Sequence, residues 1–386
     1  MVAEGRLRSD YRHKEGKRLA PIHEVTKLCL RKTRSEAQGK GPAMDHIAID
    51  LGGAESQICV RGSDGQILEE LRHRTARLGS YLKKRPPARV ILETCAEAFR
   101  VADAALELGH EVRVVPATLV GSLGVGSRGV KTDRRDAQIL SEVSTRIDLP
   151  SVHIPSEISR SWKSTCTARE ALVSSRTMLI NSVRGWTRQQ LVRIQTGGVS
   201  TFIERVRKAC LAVPSGLPEA IEHLLVSIEL LNERIAKADA ELSKLAEEHP
   251  ICTLLMTIPG IGPVSSLRFV AALDRVDRFP NAHSVQAFLG LVPGENSSST
   301  RKQRTGITKA GPPRVRWALV QATWSFRRTS KNDPLVDWAL EVEKRRGRKV
   351  AIIALARRLA GIMYAMWRDG TRYEPKRLRA FSQQEA

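Results

Sequence analysis

Four carboxylates carry the clearest chemical signal in this chain. Asp50 and Glu93 each end a short apolar run, and Asp133 and Asp136 lie three residues apart in a polar segment. An acid at the end of a buried strand is unfavourable unless something compensates its charge. A pair of divalent metal ions would do so. In a chain of formal net charge +22, we expect the substrate of that metal to be a phosphodiester.

The spacing of these acids is suited to a single site. On a helix, Asp133 and Asp136 would project from the same face, and Asp50 and Glu93 would end neighbouring strands of one sheet. Four carboxylates can hold two Mg²⁺ ions about 3.5–4 Å apart and clamp both the attacking and the leaving oxygen of a phosphoryl transfer. In the alternative, the two aspartates only cap a helix and pair with the two arginines between them.

The composition indicates a polyanionic partner. The chain of 386 residues has 63 Lys and Arg against 41 Asp and Glu, and neutralising phosphates releases counterions and so drives binding. A membrane is the weaker candidate because no apolar run approaches the roughly 18 residues of a spanning helix. The six cysteines lack the spacing of zinc ligands, and no secretory signal is visible. We therefore expect reduced thiols in a cytoplasmic protein that binds nucleic acid.

From Met44 the pattern predicts an α/β domain over 44–155. Residues 1–43 read as a basic, disordered extension or an upstream start, with a DNA-binding arm as the alternative. Periodicity then predicts the following order: strands at 45–51, 55–61 and 66–72, a helix at 75–85, a strand at 89–93, a helix at 97–109, a strand at 111–115 and a long helix from near 133. Three hairpin strands followed by β-α-β-α is the order of a ribonuclease-H-like domain.

A helical region is predicted over 156–249, and its second half carries a heptad repeat. The repeat consists of Ile221, Leu224, Ile228, Leu231, Ile235, Ala238, Leu242 and Leu245. More than three heptads favour a coiled coil. Its partner is either the helix near 157–194 of the same chain or a second copy of the chain.

A third module over 250–372 combines a glycine turn with a one-sided basic run, and 373–386 form a tail. Gly260 and Gly262 resemble the hairpin of a helix-hairpin-helix unit, where backbone N–H groups approach a phosphate. No acid occurs between Glu295 and Asp333, which favours contact with a phosphate backbone. The basic residues of this run are Arg301, Lys302, Arg304, Lys309, Arg314, Arg316, Arg327, Arg328 and Lys331.

A serine cluster precedes that run. Ser297, Ser298, Ser299 and Thr300 would normally be a flexible loop. Their place inside the most cationic segment also suits a nucleophile that attacks phosphate, provided that a base or a metal site assists the hydroxyl.

Several strings together resemble one family, the DEDD transposases of bacterial insertion sequences of the insertion sequence 110 family. The resemblance runs in the family's order from Met44 to about residue 372. The strings are Asp50-Leu-Gly-Gly, Leu92-Glu-Thr, Lys131-Thr-Asp-Arg-Arg-Asp-Ala, Ile258-Pro-Gly-Ile-Gly-Pro, Gly290-Leu-Val-Pro, Gly306-Ile-Thr-Lys-Ala-Gly and Arg345-Arg-Gly-Arg-Lys-Val-Ala.

The resemblance implies a RuvC-like domain, a helical coiled-coil insert and a mostly helical C-terminal transposase domain with a helix-hairpin-helix. It implies recombination of DNA guided by a structured non-coding RNA, a homodimer or higher homo-oligomer, and a nucleoid-associated bacterial protein. It assigns Asp50, Glu93, Asp133 and Asp136 to metal binding. It makes Ser298 the nucleophile, with Ser297 as the nearest alternative, although Ser299 stands where the family has glycine. Two alternatives are a metal-dependent, junction-resolving nuclease that uses water and an inactive nucleic-acid-binding remnant.

Overall fold

The computed structural model describes residues 44–120, 132–211, 213, 216–295 and 304–375. The chain divides after Ile154 into two compact units. The basic extension over 1–43 and most of the tail lie outside the described residues.

Unit 1 is built on a mixed sheet with the strand order β3-β2-β1-β4-β5. The pairs β1–β2 and β2–β3 are antiparallel, whereas β1–β4 and β4–β5 are parallel. The strands are β1 (His46–Asp50), β2 (Glu55–Arg61), β3 (Ile67–Arg74), β4 (Arg89–Glu93) and β5 (Glu111–Val115). The five strands follow one another along the chain as predicted, and β1 and β4 are neighbours. The sheet is compatible with a ribonuclease-H-like domain.

The two faces of this sheet are covered by different helices, because alternate residues of a strand point to opposite faces. Ile47 and Ile49 belong to the core that includes α1 and α2, while Ala48 and Ile91 belong to the core that includes Leu140 of α4. The helices of unit 1 are α1 (Leu78–Leu82), α2 (Ala98–Glu107), α3 (Ala117–Val120) and α4 (Asp133–Arg146). A 3₁₀ turn over Thr75–Arg77 occupies the start of the predicted helix 75–85.

Unit 2 is mainly helical, with one short β-hairpin. Its elements are α5 (Glu157–Gln189), α6 (Phe202–Cys210), α7 (Glu219–Glu248), α8 (Pro250–Leu255), α9 (Pro263–Leu273), a 3₁₀ turn (Val276–Arg278), α10 (Ala282–Phe288), β6 (Pro293–Glu295), β7 (Arg304–Ile307), α11 (Pro313–Thr329), α12 (Pro334–Arg346) and α13 (Arg348–Asp369). One core lies among α8 to α13 and the adjoining ends of α5 and α7, and a smaller core lies where α5, α6 and α7 meet.

The heptad of α7 packs against α5 of the same chain. Ile228, Ile235 and Leu242, seven residues apart, are buried, and Arg169 of α5 pairs with Asp239 of α7 at 2.8 Å. The structure thus shows the intramolecular alternative for this repeat. The homo-oligomer stays a prediction.

Helix α13 is the one helix among the described residues that is long and apolar enough to cross a membrane. Its buried side chains, such as Leu355, Leu359 and Met363, belong to the larger core of unit 2. That placement is typical of a core helix. The five described cysteines are not paired with one another.

Candidate active site

Asp50 and Glu93 end neighbouring parallel strands. The register pairs Ala48 with Ile91 and Ile49 with Leu92, so the next pair of positions along the two strands is Asp50 and Glu93. Strand alternation gives both acids the same face as Ala48, which is the face that α4 covers. The two carboxylates therefore lie side by side at the C-terminal ends of β1 and β4, and both residues are partly buried.

The direction of α4 brings its first turn to that edge. Ser144, near the end of α4, is 2.8 Å from His46 at the start of β1, and Ser141 contacts Cys59, the partner of Ala48. Eight residues of helix from Ser144 back to Asp136 rise about 12 Å. Four residues of strand from His46 to Asp50 advance about 13 Å. Asp136 therefore arrives level with Asp50.

Asp136 is buried without full hydrogen bonding. Its side chain is 4% exposed, and Oδ1 has no hydrogen-bond partner. Asp133, one turn earlier, is exposed. A buried carboxylate oxygen that nothing satisfies is costly to fold, and it is the atom that a bound cation would neutralise.

The capping role proposed as an alternative for these aspartates belongs to another residue. Thr132 precedes α4 and its Oγ1 accepts a hydrogen bond from the Arg135 backbone N–H at 3.4 Å. Asp133 and Asp136 lie inside the helix. The structure therefore gives the helix cap to Thr132.

Glu70 on β3 anchors the first turns of α4, although no sequence pattern singles it out. Its carboxylate accepts from Arg134 Nε at 3.0 Å and also from the Gln138 amide. The hydrogen bond from Arg134 holds the pKa of Glu70 below its usual value. Arg134 of α4 is thus paired with Glu70 of β3, a partner that only the fold reveals.

The loop after β1 is fixed by close backbone contact. A Cβ on Gly52 would lie 2.2 Å from the carbonyl oxygen of Glu55, so only glycine fits there. Thr75 Oγ1 donates to the Gly52 carbonyl at 2.6 Å and also bonds Ser56 Oγ at 2.8 Å. These contacts hold the chain directly after Asp50 in place.

The donor chemistry of the four acids fits a divalent cation of the Mg²⁺ class, which prefers carboxylate oxygens. Among the described residues, however, no group of three or more His, Cys, Asp or Glu side chains is arranged to hold a metal. The fold brings Asp50, Glu93 and Asp136 to the same end of the sheet. Their carboxylates are not close enough together to form a complete set of metal ligands.

The serine cluster belongs to the connection between β6 and β7. Ser297, Ser298 and Ser299 lie outside the described residues, as do Arg301 and Lys302. The strands on either side pair, with Pro293 opposite Ile307 and Glu295 opposite Arg304.

Two glycines fix the base of this hairpin. Gly290 has φ +67°, and a Cβ there would lie 2.2 Å from the Ala310 carbonyl oxygen; Gly311 has φ +70°, and a Cβ would lie 1.8 Å from that of Phe288. Thr308 N–H donates to the Val292 carbonyl at 2.9 Å. The Gly-Leu-Val-Pro and Gly-Ile-Thr-Lys-Ala-Gly strings are therefore one packed backbone unit.

Two of the basic residues predicted to bind nucleic acid have partners within the chain. Arg314 pairs with Glu170 at 3.2 Å. Arg316 donates to the carbonyls of Leu289 and Ala310, both at 2.9 Å, which ties it to the base of the hairpin. Both residues have a structural role that the charge run did not indicate.

The Lys309 side chain is exposed, and its backbone has φ +56°. Arg304 is the first residue of β7. Among the basic residues predicted to bind nucleic acid on this hairpin, Lys309 has a described side chain that is exposed to solvent.

The two turn glycines between α8 and α9 differ in their surroundings. Gly260 has φ +85°, and a Cβ there would lie 2.7 Å from the Phe326 backbone nitrogen of α11, so helix packing explains this glycine. Gly262 precedes α9, and a Cβ there would meet nothing within 4 Å. The space beside Gly262 is thus open, as a phosphate contact at a helix start would require.

The region with the four acids and the region with the serine cluster each match a model of a known protein family. A model of the DEDD transposases of the IS110 type, described as a transposase, matches residues 47–190. A second model, described as the transposase IS116/IS110/IS902 family, matches residues 252–335. The first match contains all four acids and the second contains the serine cluster. The fold and the matches together define an insertion-sequence DNA transposase.

Full-length relatives agree. The chain is 27% identical over 328 residues to the transposase for insertion sequence element IS1111A of Coxiella burnetii, covering 83% of this chain and 88% of the relative. It is 27% identical over 340 residues to a probable family 20 transposase of Pseudomonas aeruginosa, covering 86% and 99%. It is 26% identical over 336 residues to the transposase for IS1328 of Yersinia enterocolitica, covering 86% and 98%. The chain belongs to the insertion sequence 110 family of DEDD transposases, and its partner is DNA.

Proposed function

We propose that this transposase cuts and rejoins DNA with Asp50, Glu93, Asp133 and Asp136 as metal ligands and Ser298 as nucleophile. One observation carries the proposal: Asp136 has a buried oxygen without a hydrogen-bond partner, and it lies at the same level along the sheet as the adjacent acids Asp50 and Glu93. A fold that retains such an oxygen must gain something in another state, and cation binding supplies that gain.

Two Mg²⁺ ions are the proposed cofactor. When bound, they would stabilise the charge that develops on the phosphoryl oxygens. Because the described carboxylates do not form a closed group, we expect weak metal affinity in the free protein and tighter binding once a scissile phosphate adds its own oxygens.

The serine step transfers the phosphoryl group without loss of bond energy. The Ser298 oxygen forms a bond to phosphorus while the bond from phosphorus to the 3′ oxygen breaks. The serine proton is released, and the 3′ oxygen takes up a proton as it leaves as a hydroxyl. Attack by the 3′ hydroxyl of an exchanged strand then reverses these steps, so no ATP is required.

We also propose that a structured non-coding RNA guides the reaction. The support is the family resemblance together with the excess of basic over acidic residues. We expect RNA to copurify with the protein, and recombination to fail when that RNA is removed by ribonuclease and to return when it is added back.

The proposed organisation follows the same resemblance: a RuvC-like domain over 44–155, a coiled-coil insert over 156–249 and a C-terminal transposase domain over 250–372. The turn at Gly260 and Gly262 would be its helix-hairpin-helix. A homodimer or higher homo-oligomer is the proposed assembly, and the cytoplasm of a bacterium its location.

Metal-dependent strand cleavage tests the role of the acids. Asp50→Asn should abolish cleavage while RNA binding is largely retained, because the change removes a metal ligand and leaves phosphate contacts in place. Glu107→Gln, an exposed acid on α2, is the matched control and should cleave normally. Wild-type cleavage by Asp50→Asn would refute the metal assignment.

A further inference from the structure

A pocket of about 470 Å³ lies at the end of α5, and three arginines line it. They are Arg184, Arg188 and Arg193, together with Thr187 and Leu191, and the lining contains no carboxylate. Three guanidinium groups of the same sign therefore share one concavity.

The partners of α5 change along its length. Arg169 pairs with Asp239 of α7 at 2.8 Å, and Arg176 donates to Asn232 at 2.9 Å. The three pocket arginines, by contrast, have no carboxylate partner in the part of the chain that the structure describes. The middle of α5 thus has hydrogen-bond partners on α7, one of them a carboxylate, whereas the arginines at its end have no carboxylate partner among the described residues.

The wall of the pocket is held in place. Arg205 of α6 donates to the carbonyls of Gln195 and Gly198 and so fixes the segment that follows α5. Beneath it, Phe202 is 1% exposed, and the Arg184 guanidinium lies 5.6 Å from its ring centroid. The small core where α5, α6 and α7 meet therefore supports Arg184.

Leu191 at the rim has two unusual properties. Its side chain is 95% exposed, and its φ of +57° lies in the left-handed region that disfavours residues with a Cβ. The left-handed φ belongs to the turn that ends α5, in which the Val192 N–H donates to the Thr187 carbonyl at 2.9 Å. The exposed apolar side chain adds nothing to the core, so its surface is available for contact beside the arginines.

We propose that this pocket binds the phosphodiester backbone of a nucleic acid, with Leu191 against the sugar or base surface. Guanidinium groups match phosphate oxygens with paired hydrogen bonds, and the pocket is large enough for more than one phosphate. The site serves to hold nucleic acid at the end of the α5–α7 hairpin.

The test is the salt dependence of binding by the full chain, with Arg184, Arg188 and Arg193 all changed to Gln. Fluorescence anisotropy would use two probes, a 30-base-pair DNA duplex and an RNA hairpin. Each phosphate contact contributes about 0.9 to the slope of log affinity against log salt. The variant should lose about 2–3 from that slope, and about tenfold or more in affinity, for the probe that occupies the pocket.

A matched variant separates the pocket from general charge. Arg234, Lys237 and Lys244 are exposed on α7, and changing all three to Gln removes the same charge from the same hairpin. This control should keep the wild-type slope. An equal loss in both variants, or an unchanged slope for both probes in the pocket variant, would overturn the proposal.

Leu191→Gly gives a second readout. Glycine accepts φ +57° without strain, so the melting temperature should not fall, whereas the affinity for the same probe should. Unchanged affinity would remove Leu191 from the contact surface. Because binding is read without cleavage, these results do not depend on whether Ser298 is the nucleophile.

Discussion

Replacing Asp136 by alanine should stabilise the fold and abolish the chemistry. Asp136 is 4% exposed, and its Oδ1 has no hydrogen-bond partner. Leaving a buried polar oxygen unsatisfied costs about 1–3 kcal/mol. The acid lies in the first turn of α4, where the helix dipole returns about 0.3–1 kcal/mol. The difference predicts a gain of about 1 kcal/mol on removing the carboxylate.

The assay is thermal denaturation in the presence of a chelator. For a domain of about 100 residues, about 1 kcal/mol raises Tm by about 4–8 °C. Asp133→Ala is the matched control: it removes an exposed carboxylate from the same turn and should not raise Tm. Both variants should fail to cleave DNA.

Adding Mg²⁺ with DNA gives the second half of the test. It should raise the Tm of the wild type through binding to the folded state and should have little effect on Asp136→Ala. A lower Tm for Asp136→Ala in chelator would mean that the carboxylate stabilises the metal-free fold. Our account of the orphaned oxygen would then be wrong.

Three further outcomes follow from the structure. Ile235→Ala removes buried methyl groups from the α5–α7 contact and should lower the free energy of unfolding in denaturant by about 2–4 kcal/mol. Val226→Ala, on the exposed face of α7, is the control and should change it by less than about 0.5 kcal/mol. A loss of oligomeric mass without loss of stability would instead indicate an intermolecular seam. Gly290→Ala, at φ +67° and against the Ala310 backbone, should cost more than about 1 kcal/mol, and wild-type stability would contradict the packed hairpin base. Burial and the nearby Arg89 lower the pKa of His46 below 6.5. The unfolded chain therefore binds more protons than the folded chain as the pH falls below 6.5, and stability should decrease there. His46→Gln should reduce this dependence of stability on pH, and an unchanged dependence would contradict the role of His46.

The sequence predicted unit 1 well because its signals are local. The apolar runs that end in Asp50 and Glu93 are strands in the structure, and these two strands are neighbours in the sheet, as predicted. Central parallel strands read as continuous apolar runs, which makes them easy to locate. The helix that begins at Asp133 was also predicted, since its start and its polar face are visible in a few residues.

What the sequence could not supply were partners from distant segments. Arg314 and Arg316 stood in a run without acids, yet one pairs with Glu170 and the other binds backbone carbonyls. Gly260 looked like a phosphate-binding glycine, and the structure places it against the backbone of α11. The heptad containing Ile235 fitted either partner equally, because a repeat specifies an apolar seam and not the chain that fills it.

The most direct test of the central claim is the chemical identity of the protein–DNA link. Wild-type protein would be trapped on a nicked substrate with Mg²⁺ and guide RNA, digested, and the attachment site read by mass spectrometry. We predict one phosphodiester adduct on Ser298, absent from Ser298→Ala and from Asp50→Asn and retained by Ser299→Ala. An adduct on Ser297 would overturn the assignment of the nucleophile, and cleavage with no adduct on any serine would show that water, and not this chain, attacks the phosphate.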